Sequence, residues 1–219
     1  MIDKRVASVA EALAGIRDGS TVLLGGFGDV GTPLALLEGL IEQGARDLTL
    51  VCNAGGRDGS AIARLLTLGR VHKMICSFIR PASEAGRLHV EGKLDVEIVP
   101  QGTLAERIRA AGAGITGFYT PTAADTVIAE GRETRHIGDK LCLLELPMPG
   151  DVALIDAWQG DRWGNLTYRE SQRNFNPIMA MAAPLTIAEV RHIVELGEID
   201  PGHVHTSGIF VRRLVHVPA

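Results

Sequence analysis

Aromatic side chains make up only 4% of this 219-residue chain, with two tryptophans and two tyrosines. That is too few for the stacking platforms with which proteins hold single-stranded nucleic acid. An excess of basic charge is missing too: the formal net charge is -4, and no block of like charges occurs. The footprint of a nucleic-acid binder is therefore lacking. Cys52, Cys76 and Cys142 are odd in number, far apart and without C-x-x-C spacing, which speaks against a disulfide framework or a zinc site. No metal is expected. Met1-Ile2-Asp3-Lys4-Arg5 has no signal-peptide core, and no apolar run is long enough to span a bilayer, so the sequence reads as cytoplasmic and away from membranes. Neither a repeat nor a linker-like change of composition divides the chain, and one domain over residues 1–219 is expected.

What is present is glycine, 26 of them, in a chain that is 46% hydrophobic and 22% charged. This suits an α/β protein with many tight connections. Val6, Val9, Ala10, Leu13 and Ile16 recur at helical spacing and Asp18-Gly19 ends that helix. Val22 to Leu24 reads as a buried strand, Gly25 to Gly31 as a loop, and Leu34, Leu37, Leu40 and Ile41 as a helix capped by Thr32, started by Pro33 and stopped at Gly44. Strand Leu48 to Val51, helix Ser60 to Leu68 and strand Val71 to Cys76 continue the rhythm. The alternation calls for an open, mostly parallel sheet with helices on both faces. Ligands of such sheets sit at the carboxyl ends of strands, which here read Gly25-Gly26-Phe27, Asn53-Ala54-Gly55-Gly56 and Ser77-Phe78.

A half-exposed strand through Leu94, Val96 and Ile98 brings Pro100-Gln101-Gly102 to the same rim, and Thr103 to Glu106 has the spacing of a capping box for a helix running to about Ala111. Gly112 to Pro121 reads as a long loop. Leu141 to Leu144 and Val152 to Ala157 read as strands around the turn Pro147 to Gly150, and Pro184 to Ala219 as mixed short elements.

Several chemistries compete. Gly26-x-Gly28-x-x-Gly31 satisfies the dinucleotide fingerprint, with the backbone of a bare loop free to present N–H groups to an anion at a helix N-terminus. Yet the second strand ends Val51-Cys52-Asn53, without the acidic residue that holds a ribose. His203-x-His205 lacks a third metal ligand nearby and reads as a solvated pair. Asp151, Asp156 and Asp161 read as caps and surface charges, and Cys52 as a buried filler rather than a nucleophile. Arg173-Asn174-Phe175-Asn176-Pro177 is either a hydrogen-bonded corner or a contact to a partner chain.

The run Asp18-Gly19, two free positions, Val22-Leu23-Leu24, Gly25-Gly26-Phe27, three free positions, Gly31, one free position and Pro33 resembles the first signature of the family I coenzyme A transferases. The resemblance continues through Asn53-Ala54-Gly55, Val99 to Arg107, Gly112-Ala113-Gly114, Thr120-Pro121-Thr122, Asp161 to Tyr168 and Arg173 to Pro177, from about Lys4 to Val215. In length it is similar to the A (alpha) subunit of two-subunit members that act on 3-oxo acids. It implies a fold shared with ribose-5-phosphate isomerase and ping-pong transfer of CoA from a donor such as succinyl-CoA to 3-oxoadipate or acetoacetate.

The same resemblance places the nucleophilic glutamate in a Ser-Glu-Asn-Gly type motif on a B subunit, the other half of an A2B2 hetero-oligomer; no such motif occurs here. It makes Gln101 the side-chain donor to tetrahedral oxyanions. It makes Gly25, Gly26, Phe27, Gly28, Asp29, Val30 and Gly31 a wall for the acyl or thioester end of CoA, with Asn53 as a polar contact to substrate. CoA is then a substrate, and no tightly bound cofactor is implied. The chain departs from the family at Ala123-Ala124-Asp125-Thr126, where glycines are usual. A nicotinamide-dependent oxidoreductase and a non-catalytic relative retained for assembly are the rival readings.

Overall fold

Val22, Leu50, Met74 and Val96 stand level across four neighbouring strands, and Leu23, Val51 and Ile75 form the adjacent row facing the opposite way. Strands apolar on both faces must be covered on both, which is what helical crossovers between parallel strands provide. The computed structural model describes residues 2–218; Met1 and Ala219, the ends of the expected domain, lie outside the described residues.

In chain order the elements are β1 (Arg5–Val6), α1 (Val9–Ala12), β2 (Thr21–Leu24), α2 (Leu34–Gln43), β3 (Leu48–Val51), α3 (Ala61–Thr67), β4 (Val71–Cys76), α4 (Glu84–Val90) and β5 (Asp95–Ile98). Then follow α5 (Gln101–Ala113), β6 (Phe118–Thr120), β7 (Thr134–Ile137), β8 (Lys140–Glu145), β9 (Val152–Asp161), β10 (Leu166–Thr167), α6 (Asn176–Met181), β11 (Leu185–Val194) and β12 (Arg213–His216). The main sheet runs β1-β12-β11-β9-β2-β3-β4-β5, all parallel, with β10 antiparallel against β9. One core, with Leu13, Leu37 and Leu65, lies under α1, α2 and α3; the other, with Leu104, Ile108 and Met179, lies under α5 and α6. The open, mostly parallel sheet with helices on both faces is thus present.

Four local expectations are corrected. Val6 is not helical: Arg5 and Val6 pair with Leu214 and Val215, and α1 begins only after Ser8 caps it. Pro33 is itself the N-cap of α2, because the Thr32 hydroxyl is turned away to donate to the Gly28 carbonyl at 2.9 Å. Helix α5 opens at Gln101 rather than Thr103, and Thr103 is buried within it. Gly112 to Pro121 is no long loop: its first residues finish α5, and Phe118 to Thr120 pairs with β8 in a separate antiparallel sheet, β6-β8-β7. In the departing segment Ala123 takes a left-handed backbone, φ 64, and Ala124 is buried.

Candidate active site

The site forms where β2, β3, β4 and β5 end side by side. After β2, Gly25 continues the pairing with its N–H on the Leu154 carbonyl at 2.9 Å, and Phe27 and Val30 then exchange backbone hydrogen bonds of 3.0 and 3.2 Å. The glycine loop is therefore a tight hairpin with Gly28 and Asp29 at its tip. Gly28 sits at φ 62, with nothing within 4 Å of where a Cβ would be. The other glycines answer to the protein itself. A Cβ on Gly25 would lie 1.8 Å from Asn176 Oδ1, and one on Gly31 would meet the Gln172 carbonyl at 2.7 Å.

The corner from Arg173 to Pro177 clamps this hairpin. Asn176, wholly buried, donates from Nδ2 to the carbonyls of Gly31 (3.0 Å) and Gln172 (2.8 Å) and accepts at Oδ1 from the Asp156 N–H (3.1 Å). Asn174 Nδ2 donates to the carbonyls of Val30 (3.0 Å) and Ser171 (2.8 Å). Of the two meanings open for this segment, the hydrogen-bonded corner is observed.

The N-terminus of α2, which the dinucleotide reading needs for a pyrophosphate, is occupied. Glu189 on β11, fully buried, accepts the Leu36 N–H at 2.9 Å through Oε2. Burial pushes its carboxyl up to about 7 against the pull of the Leu36 N–H and Arg191, and neighbouring Asp156 pushes the same way. With an ordinary value of 4.5, the folded chain holds this proton more tightly than the unfolded one. The resulting stabilisation is full below about pH 4.5 and is lost as pH rises through about 7. Glu189→Gln keeps an acceptor for α2 but cannot titrate. Thermal unfolding followed from pH 4.5 to 8 should show the native chain losing up to about 3 kcal/mol relative to the variant. Parallel pH curves for the two would show that Glu189 does not titrate as described.

Between the loops after β2, β3 and β4 lies a cleft of about 170 Å³. This is well below the roughly 300–1,000 Å³ of pockets that enclose a drug-sized ligand. Gly25, Gly26, Gly28, Asp29 and Asn53 line the cleft; Phe27, Val30 and Gly31 do not. Phe27 and Val30 stand half-exposed, and Val30 and Gly31 border a second hollow beside Trp158 and Arg191. Gln101 does not line the cleft, but its Nε2 donates to Asn53 Oδ1 at 2.7 Å, tying it to a residue that does and joining two of the expected site residues. Pro100 leaves β5 with ψ 135 and delivers Gln101 as the first residue of α5.

The remaining candidates do other work. Cys52 is buried, donates to the Ala54 carbonyl and has its thiol pushed far up by burial, the state of an inert filler. Asp156 and Asp161 are buried rather than surface charges: Gln172 Nε2 donates to Asp156 at 2.7 Å, and Asp161 accepts from the backbone N–H groups of Trp163 and Asn165. Asp151 caps the start of β2 by accepting the Thr21 N–H. His205 is not merely solvated, for its Nδ1 accepts the Tyr168 N–H at 3.0 Å. Among the described residues no group of three or more His, Cys, Asp or Glu is placed to hold a metal, and no helix is long and apolar enough to cross a membrane. Three contributors carry no signal in the sequence: Glu189, and the cleft-lining Arg57 and Arg80. The strand-end rule points at the loops bearing the arginines but not at the side chains.

The model of the coenzyme A transferase family matches residues 6–217, and the chain belongs to that family. Within it, the chain is 53% identical to the A subunit of the 3-oxoadipate CoA-transferase of Pseudomonas putida, over 99% of this chain and 95% of that one. It is 49% identical to the A subunit of a probable succinyl-CoA:3-ketoacid coenzyme A transferase of Bacillus subtilis, over 97% and 89%. The fold matches an acyl-CoA transferase of E. coli O157:H7, solved as a thioester complex with CoA, at a TM-score of 0.88 and 21% identity, over 99% of this chain and 47% of that one. This chain thus spans about half the length of that protein. Glutaconate coenzyme A-transferase of Acidaminococcus fermentans matches with a TM-score of 0.85 and 22% identity, over 98% and 76%.

Proposed function

We propose that this chain is the A subunit of a two-subunit CoA-transferase that moves CoA from succinyl-CoA to a 3-oxo acid, 3-oxoadipate or acetoacetate. The observation that carries the reading is the Gln101 amide, braced at 2.7 Å by Asn53, a residue that lines the cleft. One Nε2 hydrogen is used on Asn53, and the other is free for an oxyanion. Asn53 Oδ1 accepts only, so it holds the donor end of the Gln101 amide in place.

A glutamate of the B subunit, the partner chain, attacks the thioester carbonyl, and Gln101 donates to the oxygen as negative charge gathers there. Collapse expels CoA thiolate and leaves an acyl-glutamyl anhydride. Thiolate attack on the glutamyl carbonyl then releases the acid and leaves CoA on the enzyme, and the acceptor acid runs the sequence in reverse. Every step passes through an oxyanion that the same donor can serve. CoA is a substrate here and not a resident cofactor. An A2B2 hetero-oligomer in the cytoplasm, with residues 1–219 of each copy of this chain as one domain, completes the proposal.

Transfer from succinyl-CoA to each 3-oxo acid should be assayed with the chain alone, with its B partner alone, and with the two combined. Turnover is expected only from the mixture. Turnover by this chain alone, or none by the mixture, would contradict the proposal; the second result would favour a non-catalytic relative.

A further inference from the structure

The cleft has one polar feature that oxyanion chemistry does not use. Two arginines, Arg57 and Arg80, line it, and they differ in what they touch. Arg57 already has an anion, Asp29 of the hairpin tip, at 3.1 Å. The Arg80 guanidinium has no hydrogen bond, ion pair or ring contact among the described residues. Its backbone, by contrast, is fastened. The Arg80 carbonyl accepts from both the N–H (2.9 Å) and the hydroxyl (2.6 Å) of Ser83, the buried N-cap of α4.

Gly86 lets the segment press close: a Cβ there would come within 2.6 Å of the Arg80 carbonyl oxygen and 2.4 Å of that of Pro81. A rigid backbone bearing an unmatched cation at the edge of an apolar-floored cleft, with Leu34, Ile62 and Phe78 among its walls, is arranged to receive an acyl chain whose far end is negative. We infer that Arg80 is a specificity-determining residue that binds the distal carboxylate of a dicarboxylic acyl group while Gln101 and Asn53 hold the reacting end. The inference rests on the CoA-transferase reading above. Planar, forked guanidinium is the side chain best matched to carboxylate, and a charge-assisted bond of this kind is lost when either partner is removed.

The test uses the combined A and B chains and two donors of equal carbon count, succinyl-CoA and butyryl-CoA, which differ in whether the far end carries a carboxylate. Arg80→Gln is expected to lower kcat/KM for succinyl-CoA by about 10- to 100-fold, without a comparable loss for butyryl-CoA. Arg80→Lys should recover part of the difference, and Gly86→Ala, which displaces the fastened backbone, should erode the same ratio. An equal loss with both thioesters would overturn the inference by placing Arg80 on CoA itself, and so would no loss with either.

Equilibrium titration of the complex with free succinate and free butyrate separates this idea from the one beneath it. Should the wild-type complex move no CoA, the functional reading falls. Succinate-selective binding that Arg80→Gln abolishes would still support the carboxylate site, and its absence would overturn it.

Discussion

Gln101→Ala in the combined enzyme is expected to lower kcat by about 10²–10³-fold, the usual effect of removing one preorganised oxyanion donor. KM for the acyl-CoA should change little, because the bond strengthens only as charge develops on the carbonyl oxygen. The magnitude follows from the geometry. Nε2 is already oriented by Asn53 at 2.7 Å, so no reorganisation is needed during reaction. Asn53→Ala leaves the donor in place but frees its rotamers, and a smaller fall in kcat is predicted. Rapid-quench measurement of succinate release from succinyl-CoA, with no acceptor present, reads the first half-reaction directly. A Gln101→Ala complex with near-wild-type kcat would remove Gln101 from the chemistry.

Gly25→Ala and Gly28→Ala should differ sharply, although both glycines belong to the same loop. At position 25 a methyl group would sit 1.8 Å from Asn176 Oδ1. Asn176 would have to leave, and the Gly31 and Gln172 carbonyls and the Asp156 N–H would lose their buried partner. Buried groups left without partners cost about 1–3 kcal/mol each, so a total of roughly 3–5 kcal/mol is expected. For a chain of this size that is a fall in melting temperature on the order of 10 °C. At position 28 the methyl group meets open space and only the left-handed backbone objects, a cost of about 1–2 kcal/mol. Differential scanning calorimetry of the two variants checks the contrast. Equal destabilisation would show that the loop is not held by the Asn176 clamp.

The contrast bears on how the loop was legible. Its glycines look, as a string of letters, like a backbone stripped for a ligand. In space Gly25, Gly26 and Gly31 are filled by Asn176, Thr32 and the Gln172–Asn174 turn, and only Gly28 faces outward. The central strands were readable because both their faces are buried, which writes itself as continuous apolar runs such as Val22 to Leu24. Strand β1 was not, because two residues become a strand only by pairing with Leu214 and Val215 at the far end of the chain. Glu189 was invisible for the same reason. Nothing local marks a glutamate in a strand as the partner of Leu36, a residue 153 positions away.

The place of Gln101 just beyond a strand end was readable from the sequence, and the motif around it is what singles it out as a candidate. Asn53 was placed correctly at the rim, but the bond between the two belongs to the fold. The antiparallel sheet of β6, β7 and β8 was half-read: β8 is apolar, whereas all four residues of β7 are exposed and carry no alternation.

Division of labour between two chains is the heart of the proposed reaction, and the intact mass of each chain reports on it. The combined enzyme is mixed with succinyl-CoA in the absence of acceptor, quenched, and weighed by mass spectrometry. CoA mass is predicted on a glutamate of the partner, with this chain unmodified. CoA or succinyl mass on this chain, with the partner unchanged, would contradict it.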